Sequence, residues 1–285
     1  MEREKRERRT PGATKGPVKS ARVKTTKGPV KNTRVKATKG PVKSDPEELI
    51  RLNKYISNSG VCARREADEL IARGLIYVNG IKVTAVGTKV KATDKVEYQG
   101  KKLVPGKRVY LLLNKPKGYV TTTKDPHAEH TVLELVKDAT QERIYPVGRL
   151  DKSTTGVLFF TNDGDLAGKL IHPKYKVKKV YHVFLDKEVT RRDMEVIVSG
   201  VELEDGKVSA DAISYPDTAD KTQVGVEIHS GQNRVVRRIF EHLGYKVTKL
   251  DRVFFAGLTK KNLERGTWRH LTDIEVNMLK RGIYR

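Results

Sequence analysis

The residues best suited to chemistry lie in one segment in the middle of the chain, the run YPVGRLDKSTTGVLFFTNDG from residue 145 to residue 164. In this run Asp151 has two cations nearby, Arg149 and Lys152, and positive neighbours keep a carboxylate ionised. An ionised carboxylate on a loop is a candidate nucleophile or base. Most aspartates in such loops are turn formers or helix caps, so residue type alone leaves both interpretations open.

Predicted strands and helices around this segment would have to position it. The apolar runs VYLLL (residues 109–113) and VLFFT (residues 157–161) are typical of buried strands on either side of Asp151. Further strands are predicted at residues 180–185, 224–228 and 247–255, and helices at Thr190–Gly200, at Asn233–Leu243 before Gly244, and after the capping box Thr272-x-x-Glu275. Strands outnumber helices without regular alternation. We therefore expect an α+β domain over residues 107–285, with a mixed, largely antiparallel sheet flanked by helices.

A smaller α+β unit is predicted for residues 47–106. Two helices are indicated by apolar residues at helical spacing, namely Leu49, Leu52 and Ile56 in the first and Ala67, Leu70 and Ile71 in the second. Gly74 is well placed to end the second helix. Asn79-Gly80 between two apolar runs predicts a tight hairpin turn, and the run VEY at residues 96–98 predicts a further strand.

Basic residues are scattered over the two helices of this smaller unit. They are Arg51, Lys54, Arg64, Arg65 and Arg73. Scattered charges usually form a solvated face, and the alternative is a surface that binds a polyanion.

The first 46 residues differ from the rest in composition. The motif TKGPVK begins at Thr14 and recurs at Thr26 and Thr38, a period of 12 residues. Large apolar residues are nearly absent, so nothing offsets the entropy of ordering, and we expect a disordered segment. Residues 1–44 contain 15 Lys and Arg against 3 Glu, a net charge of +12. This tail is either an inert solubilising segment or an electrostatic arm that follows phosphates.

The composition of the whole chain limits its partners. Its 285 residues carry a net charge of +23, which predicts a polyanionic partner, either nucleic acid or an anionic membrane. The longest apolar run, Val109–Leu113, is far short of the roughly 20 residues that a spanning helix needs. The N-terminus lacks the apolar segment of a secretory signal, so we expect no membrane partner.

Cysteine and histidine usage bears on location and on metals. The single cysteine, Cys62, cannot form an internal disulfide, which fits a reducing cytoplasm. The 7 histidines show no metal-ligand spacing, so we expect no metal site.

Part of the smaller unit resembles a known RNA-binding domain. The runs RLNKYI (residues 51–56), GVCARREAD (residues 60–68) and GLIYVNG (residues 74–80) are similar to the small domain first known from ribosomal protein S-four. The resemblance implies that one helical face contacts RNA, the face that carries Arg51, Lys54, Arg64 and Arg65.

The larger unit resembles an enzyme family. The run GRLDKSTTG at residues 148–156 is similar to the active-site motif of pseudouridine synthases of the RsuA/RluB/RluE/RluF family. Other family motifs follow in the same order, namely NKPKG (residues 114–118), KVYHV (179–183), GQNRVVRR (231–238) and GTWRHLT (266–272). The resemblance covers roughly residues 47–281. Where the family commonly has GRNRQVRR, this chain has Gln232 and Val235, a departure that concerns RNA contacts and subfamily rather than chemistry.

The resemblance implies roles for four residues. Asp151 would be the catalytic carboxylate, which either attacks the sugar carbon or removes a sugar proton. Tyr181 would line the uracil ring, and it or a nearby water could take a proton. Arg237 would pair with Asp151, keeping it charged and oriented. Arg149 would enter the space left when the target base flips out of an RNA helix. The isomerisation exchanges no electrons with a partner, so no cofactor is expected.

The expected substrate is ribosomal RNA, free or in an assembly intermediate. The segments around His172-Pro173 and EHLGYKV (residues 241–247) resemble the RluB and RluF members, which favours large-subunit rRNA over small-subunit rRNA. Two other hypotheses are a non-catalytic RNA-binding or ribosome-assembly factor on the same scaffold and a basic DNA-associated protein. The first would be free to lose Asp151, Tyr181 or Arg237, and the second does not account for the ordered motifs. We expect a monomer.

Overall fold

The computed structural model describes residues 49–123 and 128–284. The tail predicted for residues 1–46 lies outside the described residues. Residues 49–106 are called the small module below, and residues 107–284 the large module.

The small module is built from two short helices and two small sheets. Its elements are β1 (Leu49–Arg51), α1 (Leu52–Asn58), α2 (Arg64–Ala72), β2 (Ile76–Val78), β3 (Ile81–Val83), β4 (Lys89–Lys91), β5 (Val96–Tyr98) and β6 (Lys101–Lys102). The hairpin predicted at Asn79-Gly80 is confirmed, because both residues have positive φ, 52° and 81°, and β2 pairs with β3. The predicted helix end at Gly74 (φ 66°) and the strand β5 are confirmed as well.

The prediction for Leu49 was wrong. It was assigned to the first helix, but Leu49–Arg51 is a strand that pairs with Lys89–Lys91, and helix α1 begins only at Leu52. The backbone N–H of Leu52 donates to Thr88 O at 2.8 Å, which ties the start of the helix to the residue before β4. Leu49 is 55% exposed, whereas Leu52 and Ile56 are fully buried in the core of the small module.

The large module contains more strands than helices, as predicted. Its elements are β7 (Tyr110–Lys115), β8 (Tyr145–Pro146), β9 (Thr155–Thr161), α3 (Gly164–Ile171), β10 (Lys179–Leu185), α4 (Arg191–Ser199), β11 (Val201–Leu203), β12 (Gly206–Val208), β13 (Ala212–Ser214), β14 (Gln223–Ile228), α5 (Val235–His242), β15 (Val247–Phe255), β16 (Leu258–Thr259), β17 (Trp268–His270) and α6 (Asp273–Arg281), with short 3-10 helices at Glu134–Val136 and Pro173–Tyr175.

A mixed sheet forms the centre of the large module. The strand order is β13-β14-β10-β15-β9-β7-β17, with β16 paired to β15 and β8 paired to β9. All of these pairs are antiparallel except β15 with β9. The predicted α+β class with a mixed, largely antiparallel sheet is confirmed.

Alternating side chains of the central strand β9 point into two different cores. Val157 and Phe159 pack with residues of α3 and α6, whereas Leu158 and Phe160 pack with residues of β7 and of the segment 132–150. A third core joins β10, β14 and β15 to α4 and α5. Strand β9 is therefore buried on both faces, and the loop that precedes it ends at this buried strand.

Helix ends agree with the predictions at α4 and α6 but not at α5. Thr190 and Thr272 accept hydrogen bonds from the backbone N–H of Asp193 and Glu275, as capping residues do. Helix α5 begins at Val235 rather than Asn233, because Arg234 adopts a left-handed conformation with φ 48° and ψ 25°. Within the described ranges, none of the helices combines the length and apolarity needed to cross a membrane.

Candidate active site

Asp151 lies on the loop between β8 and β9, and the loop backbone is tied down on both sides of it. Before it, the Thr121 hydroxyl donates to Leu150 O at 2.7 Å and accepts from Leu150 N at 3.3 Å. After it, Thr154 N donates to Asp151 O at 3.0 Å. The Asp151 side chain is 34% exposed, so its carboxylate is accessible on a fixed backbone.

A buried lysine of strand β7 also holds the Asp151 loop, through hydrogen bonds to its backbone carbonyls. Lys115, the last residue of β7, is 0% exposed, and its ammonium donates to Asp151 O (3.1 Å), Thr154 O (2.9 Å) and Pro116 O (3.1 Å). Burial lowers the pKa of Lys115 from 10.5 to about 8, against the opposing effect of the nearby Asp151 carboxylate. Lys115 therefore ties the end of β7 to the loop that carries Asp151.

Gly156 permits strand β9 to lie against β15 directly after this loop. Its φ is +104°, and a Cβ built there would collide with the Arg252 carbonyl oxygen and the Asp251 carboxylate. A larger residue would push the start of β9, and with it the Asp151 loop, away from β15.

The structure places Asp151 and Arg237 beside each other, as the resemblance implied. Arg237 Nε lies 3.9 Å from Asp151 Oδ2, an ion-pair distance rather than a hydrogen bond. A second arginine, Arg234, places its Nη1 3.9 Å from the same oxygen. The carboxylate therefore faces two guanidinium groups, of which the sequence analysis named one.

Arg237 is fixed by contacts other than Asp151. Its side chain is 9% exposed, Nη1 donates to Val247 O at 3.0 Å and Nη2 donates to Ser153 Oγ at 3.2 Å. Burial, and next the like charge of Arg234, lower the pKa of Arg237. Its Nε is buried without a hydrogen-bond partner in the described structure, and this is the atom nearest the Asp151 carboxylate. A small inward shift of Asp151 would complete that bond.

Tyr181 lies in β10, in the centre of the sheet. It pairs with Val226 of β14 and Arg252 of β15, and a register shift between Val180 and Tyr181 interrupts the β10–β15 ladder. Its partly buried ring packs against the core of α5 and against the core that contains Leu150. The ring therefore lies on the face of the sheet that carries both Arg237 and the Asp151 loop.

Arg149 is exposed and lines a cleft of about 460 Å³ next to the Asp151 loop. Thr121, Thr122 and Thr123 form another part of its lining, together with Tyr145. Asp151 does not line this cleft, so the cleft is adjacent to the Asp151 carboxylate but does not contain it.

The small-module residues expected to contact RNA are distributed over two environments. Arg51, Lys54 and Arg64 line a groove of about 390 Å³, whereas Arg65 is exposed outside this groove. Lys54 also forms an ion pair with the large module, because its ammonium lies 2.6 Å from Asp165 Oδ1 of α3. The Arg64 guanidinium lies close to Gly164 at the start of α3, where the Tyr145 hydroxyl is also near.

Sequence reasoning missed Lys115, Arg234, Ser153 and Thr121. Lys115 and Arg234 stand inside the motifs NKPKG and GQNRVVRR, and a lysine that ends an apolar strand is itself a signal. The contacts of Ser153 and Thr121 depend on the folded loop and have no signal in the sequence. In residues 49–123 and 128–284, no three His, Cys, Asp or Glu side chains are grouped closely enough to hold a metal ion.

Comparison with known proteins assigns both modules. Residues 109–242 match the family model described as RNA pseudouridylate synthase, and residues 50–96 match the model of the S4 domain. The chain is 40% identical over 233 residues to the ribosomal large subunit pseudouridine synthase B of Bacillus subtilis, covering 81% of this chain and 95% of that protein. It is 37% identical over 234 residues to the dual-specificity RNA pseudouridine synthase RluF of Escherichia coli, covering 81% of this chain and 78% of that protein.

A solved structure agrees with these relationships. It is a crystal structure of a pseudouridylate synthase with a TM-score of 0.58 and 26% identity, and the match covers 81% of this chain and 99% of that one. The extent of the match to the Bacillus subtilis protein and the two matched domains lead to one assignment. This chain belongs to the RNA pseudouridylate synthase family and carries an S4 domain before its synthase domain.

Proposed function

We propose that the protein converts a specific uridine of large-subunit ribosomal RNA to pseudouridine, with Asp151 as the catalytic carboxylate. The observation that carries the proposal is the Asp151 carboxylate itself, which is accessible on a fixed loop and faces Arg237 at 3.9 Å. The choice of RNA rests on the Bacillus subtilis relative, which is named as a large-subunit enzyme and matches over 95% of its length.

The isomerisation needs no atoms from outside the nucleotide except a proton. The bond between N1 of uracil and C1′ of the sugar breaks, the base turns, and C5 bonds to C1′. The hydrogen on C5 leaves as a proton, and N1 gains a proton. Asp151 would act at the sugar, either as nucleophile at C1′ or as base at a neighbouring carbon.

Arg237 and Tyr181 would support this step in different ways. Arg237 would hold the Asp151 carboxylate through its otherwise unpartnered Nε, because its Nη1 and Nη2 are already used by Val247 and Ser153. Tyr181 would lie against the uracil ring and, directly or through water, receive the proton from C5.

The target uridine would have to leave its helix to reach Asp151, at a cost of a few kcal/mol. Arg149 would fill the vacated position, since it is exposed on the same loop as Asp151 and lines the 460 Å³ cleft. Phosphate contacts elsewhere on the protein would offset part of that cost.

Those contacts would come from the small module. We propose that residues 47–106 form the RNA-binding domain and residues 107–285 the catalytic domain. Arg51, Lys54 and Arg64 line one groove, and the start of α3 and Tyr145 connect it to the cleft that holds Arg149. RNA bound along this surface would pass from the small module to Asp151, with Arg65 as an additional exposed cation.

The protein would act as a monomer in the cytoplasm. Asp151, Tyr181 and Arg237 all belong to one chain, so the proposed reaction would need no residue from a partner subunit. The single Cys62 requires no oxidising compartment.

The test is turnover on three RNAs in parallel. Purified protein should form pseudouridine at one position of large-subunit rRNA, free or in an incomplete particle, and the mapped site should be lost from cells that lack the gene. Equal or better activity on small-subunit rRNA or transfer RNA would overturn the choice of substrate. RNA binding without pseudouridine on any RNA would favour the non-catalytic assembly factor.

A further inference from the structure

The inference concerns Arg234, and it rests on the proposed function. Arg234 and Arg237 lie at the same distance, 3.9 Å, from Asp151 Oδ2, but their surroundings differ. The Arg237 side chain is 9% exposed, with both outer nitrogens bonded inside the protein. The Arg234 side chain is 43% exposed, and its one hydrogen bond in the described chain is a long contact from Nη2 to Glu241 Oε1, at 3.4 Å. Arg234 therefore keeps N–H groups for a ligand beside the carboxylate.

The backbone around Arg234 is held in an unusual conformation. Its φ of 48° and ψ of 25° are left-handed, a conformation that is unfavourable for most residues and is found mainly for Gly, Asn and Asp. The loop before it is anchored by Lys179, whose ammonium donates to His229 O at 2.8 Å and Ser230 O at 3.3 Å. Helix α5 begins directly after Arg234. The backbone at Arg234 is therefore fixed by the anchored loop before it and by the helix after it.

Charge near Asp151 favours an anion as the ligand. One carboxylate is surrounded by Arg234, Arg237 and the buried Lys115, and Glu241 neutralises only part of this excess. Arg234 and Arg237 both lie 3.9 Å from Asp151 Oδ2, so their like charges repel each other. A second anion bound to the exposed N–H groups of Arg234 would relieve this repulsion.

We propose that Arg234 binds a backbone phosphate of the target nucleotide or its neighbour and so holds the sugar over Asp151. Any nucleotide that brings C1′ to Asp151 also brings the phosphates attached to the 5′ and 3′ oxygens of the same sugar. A guanidinium group with free N–H donors binds phosphate oxygens in pairs. Arg234 would then contact the substrate directly, whereas Arg237 would act on Asp151.

The experiment compares Arg234→Gln and Arg234→Lys with a matched control, Arg238→Gln. Arg238 lies one turn after Arg234, in helix α5, and forms two hydrogen bonds with Asp205, at 2.9 and 3.0 Å, so its replacement removes the same charge away from Asp151. RNA affinity is measured against salt on a large-subunit rRNA transcript, together with the single-turnover rate at saturating protein.

Arg234→Gln should weaken RNA binding about tenfold and shallow the slope of log affinity against log salt by about 0.7 to 0.9. Because the phosphate contact also holds the sugar over Asp151, the saturating rate should fall as well. Arg234→Lys should keep the slope, and Arg238→Gln should change neither quantity. An unchanged affinity and slope in Arg234→Gln would overturn the inference. So would a lower saturating rate at unchanged affinity, which would make Arg234 a partner of Asp151. Wild-type turnover on the same transcript tests the proposed function separately, because the binding curves are read whether or not pseudouridine forms.

Discussion

Replacing Lys115 with methionine separates the stability of the Asp151 loop from its alignment. Methionine preserves most of the side-chain length but has no donor. Pro116 O and Thr154 O would lose the hydrogen bonds that they accept from Lys115, whereas Asp151 O would keep the one from Thr154 N. An unpartnered buried carbonyl costs about 1–3 kcal/mol, so the loss amounts to about 2–6 kcal/mol.

The substitution also removes a buried charge. Burial lowers the pKa of Lys115 from 10.5 to about 8, and at 1.36 kcal/mol per unit this is a penalty of about 3 kcal/mol for the folded protein at pH 7. Because the folded-state pKa lies below the unfolded value, the penalty is complete below pH 8 and is relieved as the pH rises towards 10.5. The two effects nearly cancel at neutral pH. The free energy of unfolding of Lys115→Met should therefore stay within about 3 kcal/mol of wild type.

The rate of turnover should fall by a large factor, even though the two effects on the free energy of unfolding nearly cancel. Without the ammonium, the segment at Asp151 is no longer tied to the end of β7, and a displacement of about 1 Å at a reacting group costs on the order of 100-fold in rate. Urea unfolding and single-turnover pseudouridine formation are measured on the same preparations. Lys117→Met, an exposed lysine of the same NKPKG motif, is the control and should match wild type in both. Near wild-type turnover in a folded Lys115→Met protein would refute the positioning role.

Three further predictions test other parts of the molecule. The Arg269 guanidinium lowers the pKa of Glu275 from 4.5 to about 2, so Glu275→Gln should reduce the free energy of unfolding by about 2 kcal/mol after allowance for solvent screening. Since this stabilisation is complete above pH 4.5 and is lost as the pH falls towards 2, the difference in urea unfolding should shrink below pH 4.5. Tyr181→Phe should fold normally but slow or stall loss of the C5 proton, and full turnover would remove the hydroxyl from the reaction. Deleting residues 1–44 removes a net charge of +12; if about four of these charges meet phosphates, the salt slope should shallow by roughly three units with the same uridine modified. An unchanged slope would make the tail inert towards RNA.

Much of the fold was predictable from local pattern. Strand β15 has the predicted bounds, Val247–Phe255, because β-branched and aromatic residues are frequent in this run and favour a strand. The Asn79-Gly80 hairpin and the Thr272 capping box follow from single residues whose backbone preference is strong. Leu49 was misassigned because helical spacing continued into it, and only pairing with distant Lys89–Lys91 makes it a strand.

The site was predictable to a lesser degree. The resemblance named Asp151 and Arg237, and the structure brings them to 3.9 Å. It did not indicate Arg234, because that residue reaches Asp151 only through a left-handed backbone that no local pattern predicts. The contact between Lys54 and Asp165 was equally hidden, since it joins residues 111 positions apart in different modules. Contacts of this kind depend on tertiary structure, and the spacing of residue types does not contain them.

The central claim is that the Asp151 carboxylate carries out the isomerisation. Because the uracil C5 hydrogen must leave, rRNA labelled with tritium at C5 of uridine releases tritium to water at each turnover. Wild-type protein should release one equivalent per target uridine of large-subunit rRNA. Asp151→Asn, which keeps the shape but can act neither as nucleophile nor as base, should release none while binding the RNA within a few fold of wild type. Tritium release by Asp151→Asn above background would contradict the role assigned to Asp151.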